Sequence, residues 1–133
     1  MKYLLDTCAI SDYVHCDNTT LKHIKKTAPD DLCISCLTLM ELEYGFELNP
    51  ERAKKIRVPI YNILNSIHIL PFTKHEALSA AVIRAKLKKA GTPIGAYDIL
   101  IASTALHHQL IVVTSNEKEF KRVRGLEIEN WRH

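Results

Sequence analysis

Short apolar segments alternate with longer helical segments along almost the whole chain, and this alternation is the feature that most restricts the fold. The apolar segments predict strands at residues 2–5, 32–36, 67–70, 110–113 and 126–129. Helices are predicted at residues 9–15, 19–28, 37–48, 51–66, 74–90, 96–108 and 116–122, and Pro59 is expected to kink or interrupt the fourth of them. Because strands that are separated by helices form parallel sheets, we expect an α/β sandwich with a mostly parallel sheet.

Length and composition indicate one domain, residues 1–133, of a globular cytoplasmic protein. The 133 residues are 47% apolar and 25% charged, which is ordinary for a domain with one core. No apolar run approaches the roughly 18 residues that span a bilayer. No cleavage site follows the first strand, so a signal peptide is not expected. The net charge of +3 is compatible with nucleic-acid binding but does not indicate it.

The four cysteines are expected to be reduced thiols. Cys33 and Cys36 have the C-x-x-C spacing, but a zinc site needs a second pair or matching histidines, which Cys8 and Cys16 do not supply. Residues 32–36 also read as a buried strand, in which side chains three apart point to opposite faces. Buried thiols are therefore favoured, with a metal or redox pair as the alternative.

Asp6 ends the first predicted strand. The apolar residues Tyr3, Leu4 and Leu5 are followed directly by this carboxylate and by the hydroxyl of Thr7. In an open α/β sheet, ligands bind in the crevice at the carboxyl ends of the strands. We therefore expect Asp6 to face a ligand-binding crevice.

Glu41 lies in line with an apolar stripe of the predicted helix at 37–48. It shares a helix face with Leu37, Tyr44 and Leu48. Burial of an unpaired carboxylate is costly, so its presence there requires a reason. Glu41 is interpreted as a cation ligand; the alternative is a glutamate at the rim of the core, paired with a lysine.

Asp98 repeats this pattern in the first turn of the predicted helix at 96–108, on the same face as Ile101, Ala102 and Ala105. An aspartate in a first turn also complements the helix dipole, and that explanation stays open. After the apolar strand 110–113, Asn116 is placed either to cap the next helix or to face the crevice, and the Glu119 carboxylate is close in sequence.

Oxygen ligands at strand ends and helix starts, without a matching set of histidines and cysteines, describe a site for a hard cation. Mg²⁺ and Mn²⁺ prefer carboxylates, carbonyls and water. Such sites cleave phosphodiesters by activating water and neutralising charge on the phosphate. The seven histidines are scattered along the sequence, and none is expected to be catalytic.

The chain resembles the PIN-domain ribonucleases, and among them the VapC toxins of type II toxin–antitoxin pairs. The matching motifs, which span nearly the whole chain, are Leu4–Thr7, Leu39–Gly45, Gly91–Ala102, Val113–Asn116 with Glu119–Phe120, and Glu129–Trp131. Each motif is weak alone, but their order and spacing are specific.

The resemblance implies a three-layer α/β/α fold and an endoribonuclease that needs Mg²⁺ or Mn²⁺. It implies that Asp6, Glu41 and Asp98 are the catalytic acids and metal ligands. The fourth acid of the family is usually an aspartate; Asn116 stands in its place, with Glu119 nearby, and we favour Asn116 because it is closer to the strand end. Supporting roles are implied for Thr7, Thr114 and Ser115. Cys8 stands where the family commonly has an asparagine.

The resemblance also implies partners: an RNA substrate, a second copy of the chain in a homodimer, and a VapB-like antitoxin in a hetero-oligomer. Leu39, Leu42 and Phe46 lie three and four residues apart, on a face roughly opposite Glu41. A second apolar face is either buried or contacts a partner. We expect an antitoxin helix to bind these three residues and to place a basic residue near the acids.

Two other functions stay open. A phosphatase of the haloacid-dehalogenase kind also begins with an aspartate at a strand end, but its chemistry requires a second aspartate two residues later, where this chain has Cys8. A catalytically degenerate binding module is the second alternative, because Asn116 replaces the fourth acid.

Overall fold

One five-stranded parallel sheet lies between two layers of helices in the computed structural model, which describes residues 1–132. The strands are β1 (Tyr3–Leu5), β2 (Leu32–Ser35), β3 (His68–Leu70), β4 (Ile111–Val113) and β5 (Ile128–Glu129). The helices are α1 (Thr7–Val14), α2 (Asn18–Lys26), α3 (Cys36–Leu48), α4 (Pro50–Leu64), α5 (Lys74–Lys89), α6 (Ala96–His108) and α7 (Glu117–Phe120). The predicted three-layer α/β/α class is confirmed.

The order of the strands fixes where a ligand would bind. The sheet runs β3-β2-β1-β4-β5, and every neighbouring pair is parallel. The chain moves outwards from β1 through β2 to β3 and then returns to the other side of β1. Ligands of such sheets bind where the strand order reverses, which here is between β1 and β4. Leu5 pairs with Val113 at the carboxyl ends of β1 and β4. The residues that follow, Asp6 and Thr114, therefore lie side by side at this crevice.

Two apolar cores lie on the two faces of the sheet. Leu4 and Val112 belong to the core beneath α5 and α6, whereas Leu5 and Val113 belong to the core beneath α1 to α4. Successive strand residues point to opposite faces, so each short central strand contributes to both cores. This double burial explains the nearly continuous apolar character of the central strands.

Helix α4 continues through Pro59. The helix is assigned from Pro50 to Leu64, so the predicted interruption at Pro59 is wrong. A proline removes the bond to the carbonyl four residues earlier, which belongs to Lys55. Lys55 and Pro59 are both exposed, so water can bind the freed carbonyl group.

Helix α3 buries a different face from the one that the sequence predicted. Tyr44 is 60% exposed and Leu48 is 68% exposed, whereas Leu42 and Phe46 are buried. Leu42 and Phe46 belong to the core beneath α1 to α4, and Leu39 packs against it. These three residues therefore do not form a second exposed face, and their contact with a partner stays a prediction. Both faces of α3 are apolar, so helical periodicity alone could not identify the inner one.

Candidate active site

Asp6 is buried at the carboxyl end of β1 and caps helix α1. Its Oδ1 accepts a hydrogen bond of 2.9 Å from the amide of Ala9, and only 6% of the residue is exposed. Burial is the largest influence on its pKa, which is raised from 3.8 to about 6 even though the Thr114 hydroxyl stabilises the carboxylate. The sequence therefore placed Asp6 correctly in the crevice, and Thr114 supports it there.

Glu41 reaches the same crevice from helix α3. The Thr7 hydroxyl donates a hydrogen bond of 3.2 Å to its Oε1. The residue is half-buried, at the boundary between the inner and outer faces of α3. Because the stripe that predicted its burial lies on the outer face, the expected position of Glu41 was right but the argument for it was wrong.

Asp98, Asn116 and Glu119 form one hydrogen-bonded group. The Asn116 amide nitrogen donates to Asp98 Oδ2 at 3.3 Å and to Glu119 Oε2 at 3.1 Å. The backbone N–H of Asn116 donates to the Thr114 hydroxyl at 2.9 Å. No side-chain cap bond links Asn116 to α7, so capping does not account for this residue. The side chain instead holds two carboxylates together.

Gly95 lies beside two of these carboxylates. A Cβ atom built at Gly95 would lie 3.4 Å from Asp98 Oδ2 and 3.8 Å from Glu119 Oε2. The amide of Gly95 also donates to the Glu119 carboxylate. The glycine before α6 therefore provides a donor to Glu119 and lies directly beside the carboxylate oxygens, a contact that a single sequence gave no means to predict.

The charges of this group are strongly coupled. Burial, followed by a hydrogen bond to Glu119 and by repulsion from Glu119, Asp6 and Glu41, raises the pKa of Asp98 to about 7. The bonds from Asp98 and Asn116 lower the pKa of Glu119. Asp98 is therefore the acid of this group that takes up a proton first as the pH falls towards 7, and its hydroxyl then bonds to Glu119. Together the four carboxylates offer the all-oxygen donor set that a hard cation requires.

The four acids are not drawn tightly together. Among residues 1–132, no three of them each place an oxygen within 4.8 Å of the others. Repulsion between carboxylates accounts for this spacing, since like charges in a partly buried crevice separate unless a cation lies between them. The donor types fit a divalent cation.

A clamp beside the site was missed by sequence reasoning. Arg132 donates to both carboxylate oxygens of Asp12 at 2.8 Å, and Trp131 packs edge-on against Tyr3 and stacks on His23. Asp12 in turn contributes to the raised pKa of Asp6. Pairing between residues 120 positions apart leaves no local pattern in a sequence, so no sequence feature indicated it.

The cysteines behave as buried or isolated thiols. All four are free, and in the described part of the chain none belongs to a group of three potential metal ligands. Burial raises the pKa of Cys33 to about 12, which makes it unreactive. Cys8 lies near Asp6, and the Ser115 side chain forms a hydrogen bond with its sulfur. Ser115 therefore supports this neighbour of Asp6.

Comparison with known proteins identifies the family. The model of the PIN domain family matches residues 3–126. The chain belongs to the PIN-domain family. The tRNA(fMet)-specific endonuclease VapC of Salmonella typhimurium is 41% identical over 102 residues, which are 75% of this chain and 75% of that protein. The Shigella flexneri protein of the same name is 34% identical over 131 residues, 98% of each chain.

Solved structures agree with this assignment. DNA-bound VapBC from Salmonella typhimurium contains a chain that superimposes on this one with a TM-score of 0.89 and 32% identity, over 98% of both chains. The resemblance to VapC is therefore confirmed over the full fold, and the haloacid-dehalogenase alternative loses its support. Within residues 1–132 of this PIN domain, no helix has the length and apolar character to cross a membrane.

Proposed function

We propose that this chain, acting as a single PIN-like nuclease domain, is a Mg²⁺- or Mn²⁺-dependent endoribonuclease and the toxin of a type II toxin–antitoxin pair. The observation that carries the proposal is the convergence of four carboxylates where the strand order reverses, with burial and acidic neighbours raising the pKa of Asp98 to about 7. Such a group is unstable as a structural feature alone, and a divalent cation would relieve its repulsion.

Asp6, Glu41, Asp98 and Glu119 would hold the cation. When bound, Mg²⁺ or Mn²⁺ lowers the pKa of a water ligand and neutralises negative charge on the scissile phosphate. The protein keeps Asp6 in place through Ala9 and Thr114. The proton shared by Asp98 and Glu119 would be released when the cation binds, so cation affinity should increase with pH.

For the fourth ligand we assign Glu119 in preference to Asn116, which reverses the expectation from the sequence. The Asn116 amide nitrogen donates to Asp98 and Glu119, and a nitrogen that donates in this way does not ligate a cation. Asn116 is therefore a positioning residue, comparable to the outer groups that orient ligands in other metal sites.

Initiator tRNA is the first substrate to test. The Salmonella and Shigella relatives are named tRNA(fMet)-specific endonucleases, and the second of them matches 98% of this chain. Recognition of RNA depends on loop and groove shape around the acids, so other tRNAs and ribosomal RNA serve as comparison substrates.

An antitoxin segment is proposed to bind a groove between α1, α3 and α4. The groove has a volume of about 190 Å³ and is lined by residues that include Thr7, Glu41, Leu42, Phe46 and Ile56. It joins an apolar floor to Glu41, so an amphipathic helix could bind the floor and bring a basic side chain to the acids. Leu42 and Phe46 would thus contact a partner as the floor of a groove.

A homodimer is proposed as well. Helix α5 exposes Leu78 by 68% and Val82 by 53%, and these residues are four apart on one face. An apolar pair of this kind on a surface helix is suited to self-association. Replacement of Val82 by glutamate should lower the mass measured in solution by light scattering.

The decisive assay is cleavage of purified tRNA with and without metal. Wild-type protein should cut initiator tRNA in Mg²⁺ or Mn²⁺ and stop in EDTA. Asp6→Asn, Glu41→Gln and Asp98→Asn should each lower the rate by about 100-fold or more, with the fold intact by circular dichroism. Folded wild-type protein that cuts none of these RNAs with any divalent cation would instead support the degenerate binding module. Full activity in EDTA would overturn the metal assignment.

A further inference from the structure

A second cluster of metal-ligating side chains lies at the opposite end of helix α6 from Asp98. Glu76, His107 and His108 each place one ligand atom within 4.8 Å of the others, and they are the one such group found in residues 1–132. Asp98 lies in the first turn of α6, and the two histidines lie in the last. At 1.5 Å per residue, roughly 14 Å of helix separates them. The cluster is therefore distinct from the candidate active site.

Glu76 is a preorganised carboxylate. It is only 2% exposed, and the amide of Thr73 donates to its Oε2 at 2.9 Å. The Thr73 hydroxyl contacts the same oxygen. The other carboxylate oxygen, Oε1, faces α6, where His108 Nε2 lies 2.9 Å away. Burial opposes ionisation, but these hydrogen bonds lower the pKa of Glu76 to about 2, so an anionic ligand is present at neutral pH.

The imidazoles complete a site that is open to water on one side. The ring of His107 lies edge-on to His108, with 4.9 Å between centroids, and stacks on His75 at 5.5 Å. His107 is exposed, whereas His108 is half-buried. An ion can therefore enter past His107 and meet the buried carboxylate.

The donor set selects the kind of ion. Two imidazoles and one carboxylate are a typical set for Zn²⁺, whereas Mg²⁺ prefers oxygen ligands alone. In a tetrahedral site with bonds near 2.0–2.1 Å, neighbouring ligand atoms lie about 3.3 Å apart. The 2.9 Å between Glu76 Oε1 and His108 Nε2 requires only a small opening to reach that separation. The C-terminal end of α6 also favours positive charge.

We infer that Glu76, His107 and His108 bind a Zn²⁺ ion, with water in the fourth position, and that this ion links the start of α5 to the end of α6. The ion would displace any proton shared by Glu76 and His108 and hold both helices over the core that they cover. Its role is to stabilise the fold, so the inference does not depend on the proposed nuclease activity. RNA cleavage in Mg²⁺ should continue without it.

The inference is tested by titrating the whole chain with Zn²⁺ in saturating Mg²⁺. Calorimetry measures the affinity and the number of ions bound, and NMR of the histidine ring nitrogens identifies the ligands. We expect one Zn²⁺ per chain, shifts of the His107 and His108 rings, and a higher melting temperature. His107→Ala should lower the affinity at least tenfold; this residue is exposed, so the core is spared. Asp98→Asn should leave Zn²⁺ binding unchanged, which separates this site from the carboxylate crevice.

His68→Ala is the matched control, because His68 is an exposed histidine with a carboxylate partner, Asp30, at 3.6 Å. It should bind Zn²⁺ as the wild type does. Equal losses in His68→Ala and His107→Ala would show only adventitious binding to surface imidazoles and would overturn the inference. Unchanged affinity in His107→Ala, or ring shifts that avoid both His107 and His108, would overturn it as well.

Discussion

Replacement of Asp6 by asparagine should stabilise the metal-free protein at neutral pH. Burial is the main cause that raises the pKa of Asp6 from 3.8 to about 6, so the folded state binds the proton more tightly than the unfolded state. Below pH 3.8 the group is protonated in both states and carries no penalty. The penalty grows as the pH increases from 3.8 to about 6 and is complete above that range.

The size of the effect follows from this shift. A difference of about 2 pKa units corresponds to about 3 kcal/mol. Asparagine keeps a neutral oxygen to cap α1, as the protonated acid does, and the stronger bond of the carboxylate to the amide of Ala9 is already contained in the raised pKa. The net gain for Asp6→Asn at pH 7.5 is therefore about 3 kcal/mol, which corresponds to roughly 10 °C in melting temperature for a chain of this length.

Thermal unfolding of wild type and variant in EDTA, at pH 4 and pH 7.5, measures this difference. The variant should be more stable at pH 7.5 and equal to wild type at pH 4. Addition of Mg²⁺ should stabilise the wild type and not the variant. Asp12→Asn is the matched control with the opposite sign, because it removes the charged partner of Arg132 and should destabilise the fold. A variant less stable than wild type at pH 7.5 in EDTA would refute the argument.

Three further predictions concern the proposed ligands and the groove. Glu119→Gln should lower Mg²⁺ affinity and cleavage more than Asn116→Ala, which should lower affinity about 10- to 100-fold as an outer positioning group; calorimetry would measure both, and the reverse order would restore Asn116 as the ligand. Gly95→Ala should weaken metal binding several-fold without lowering the melting temperature, because its Cβ would lie 3.4 Å from a carboxylate oxygen. Gly45→Trp should weaken the antitoxin complex in a pull-down assay, since Gly45 lines the groove with open space around it; Leu48→Trp, on the exposed face, should not.

The architecture was predictable because it depends on patterns of residues that are close in sequence. Alternation of apolar strands and helices predicted the parallel sheet. The strand that ends at Asp6 predicted one edge of the crevice, since all carboxyl ends of parallel strands lie on one side. The position of Asp98 was predictable because it lies at helical spacing from Ile101, Ala102 and Ala105, which are all buried in α6.

The remaining features depend on contacts that a sequence does not encode locally. Helix α3 is apolar on two faces, so the choice of the inner face depends on how α4 packs. The role of Asn116 depends on which atom of its amide points at the acids, and the sequence cannot distinguish the nitrogen from the oxygen. Glu76 meets His107 and His108 because the start of α5 packs beside the end of α6. The spacing of residues in the sequence does not determine how these two helices pack.

The most direct test of the central claim is to locate the cation. Crystals of the wild-type chain grown with Mn²⁺ should show an anomalous-difference peak in the crevice, at about 2.1–2.2 Å from carboxylate oxygens of Asp6 and Asp98, and no such peak in Asp98→Asn. An active enzyme whose crystals show no Mn²⁺ at this crevice, or show it only at Glu76 and His107, would contradict the account.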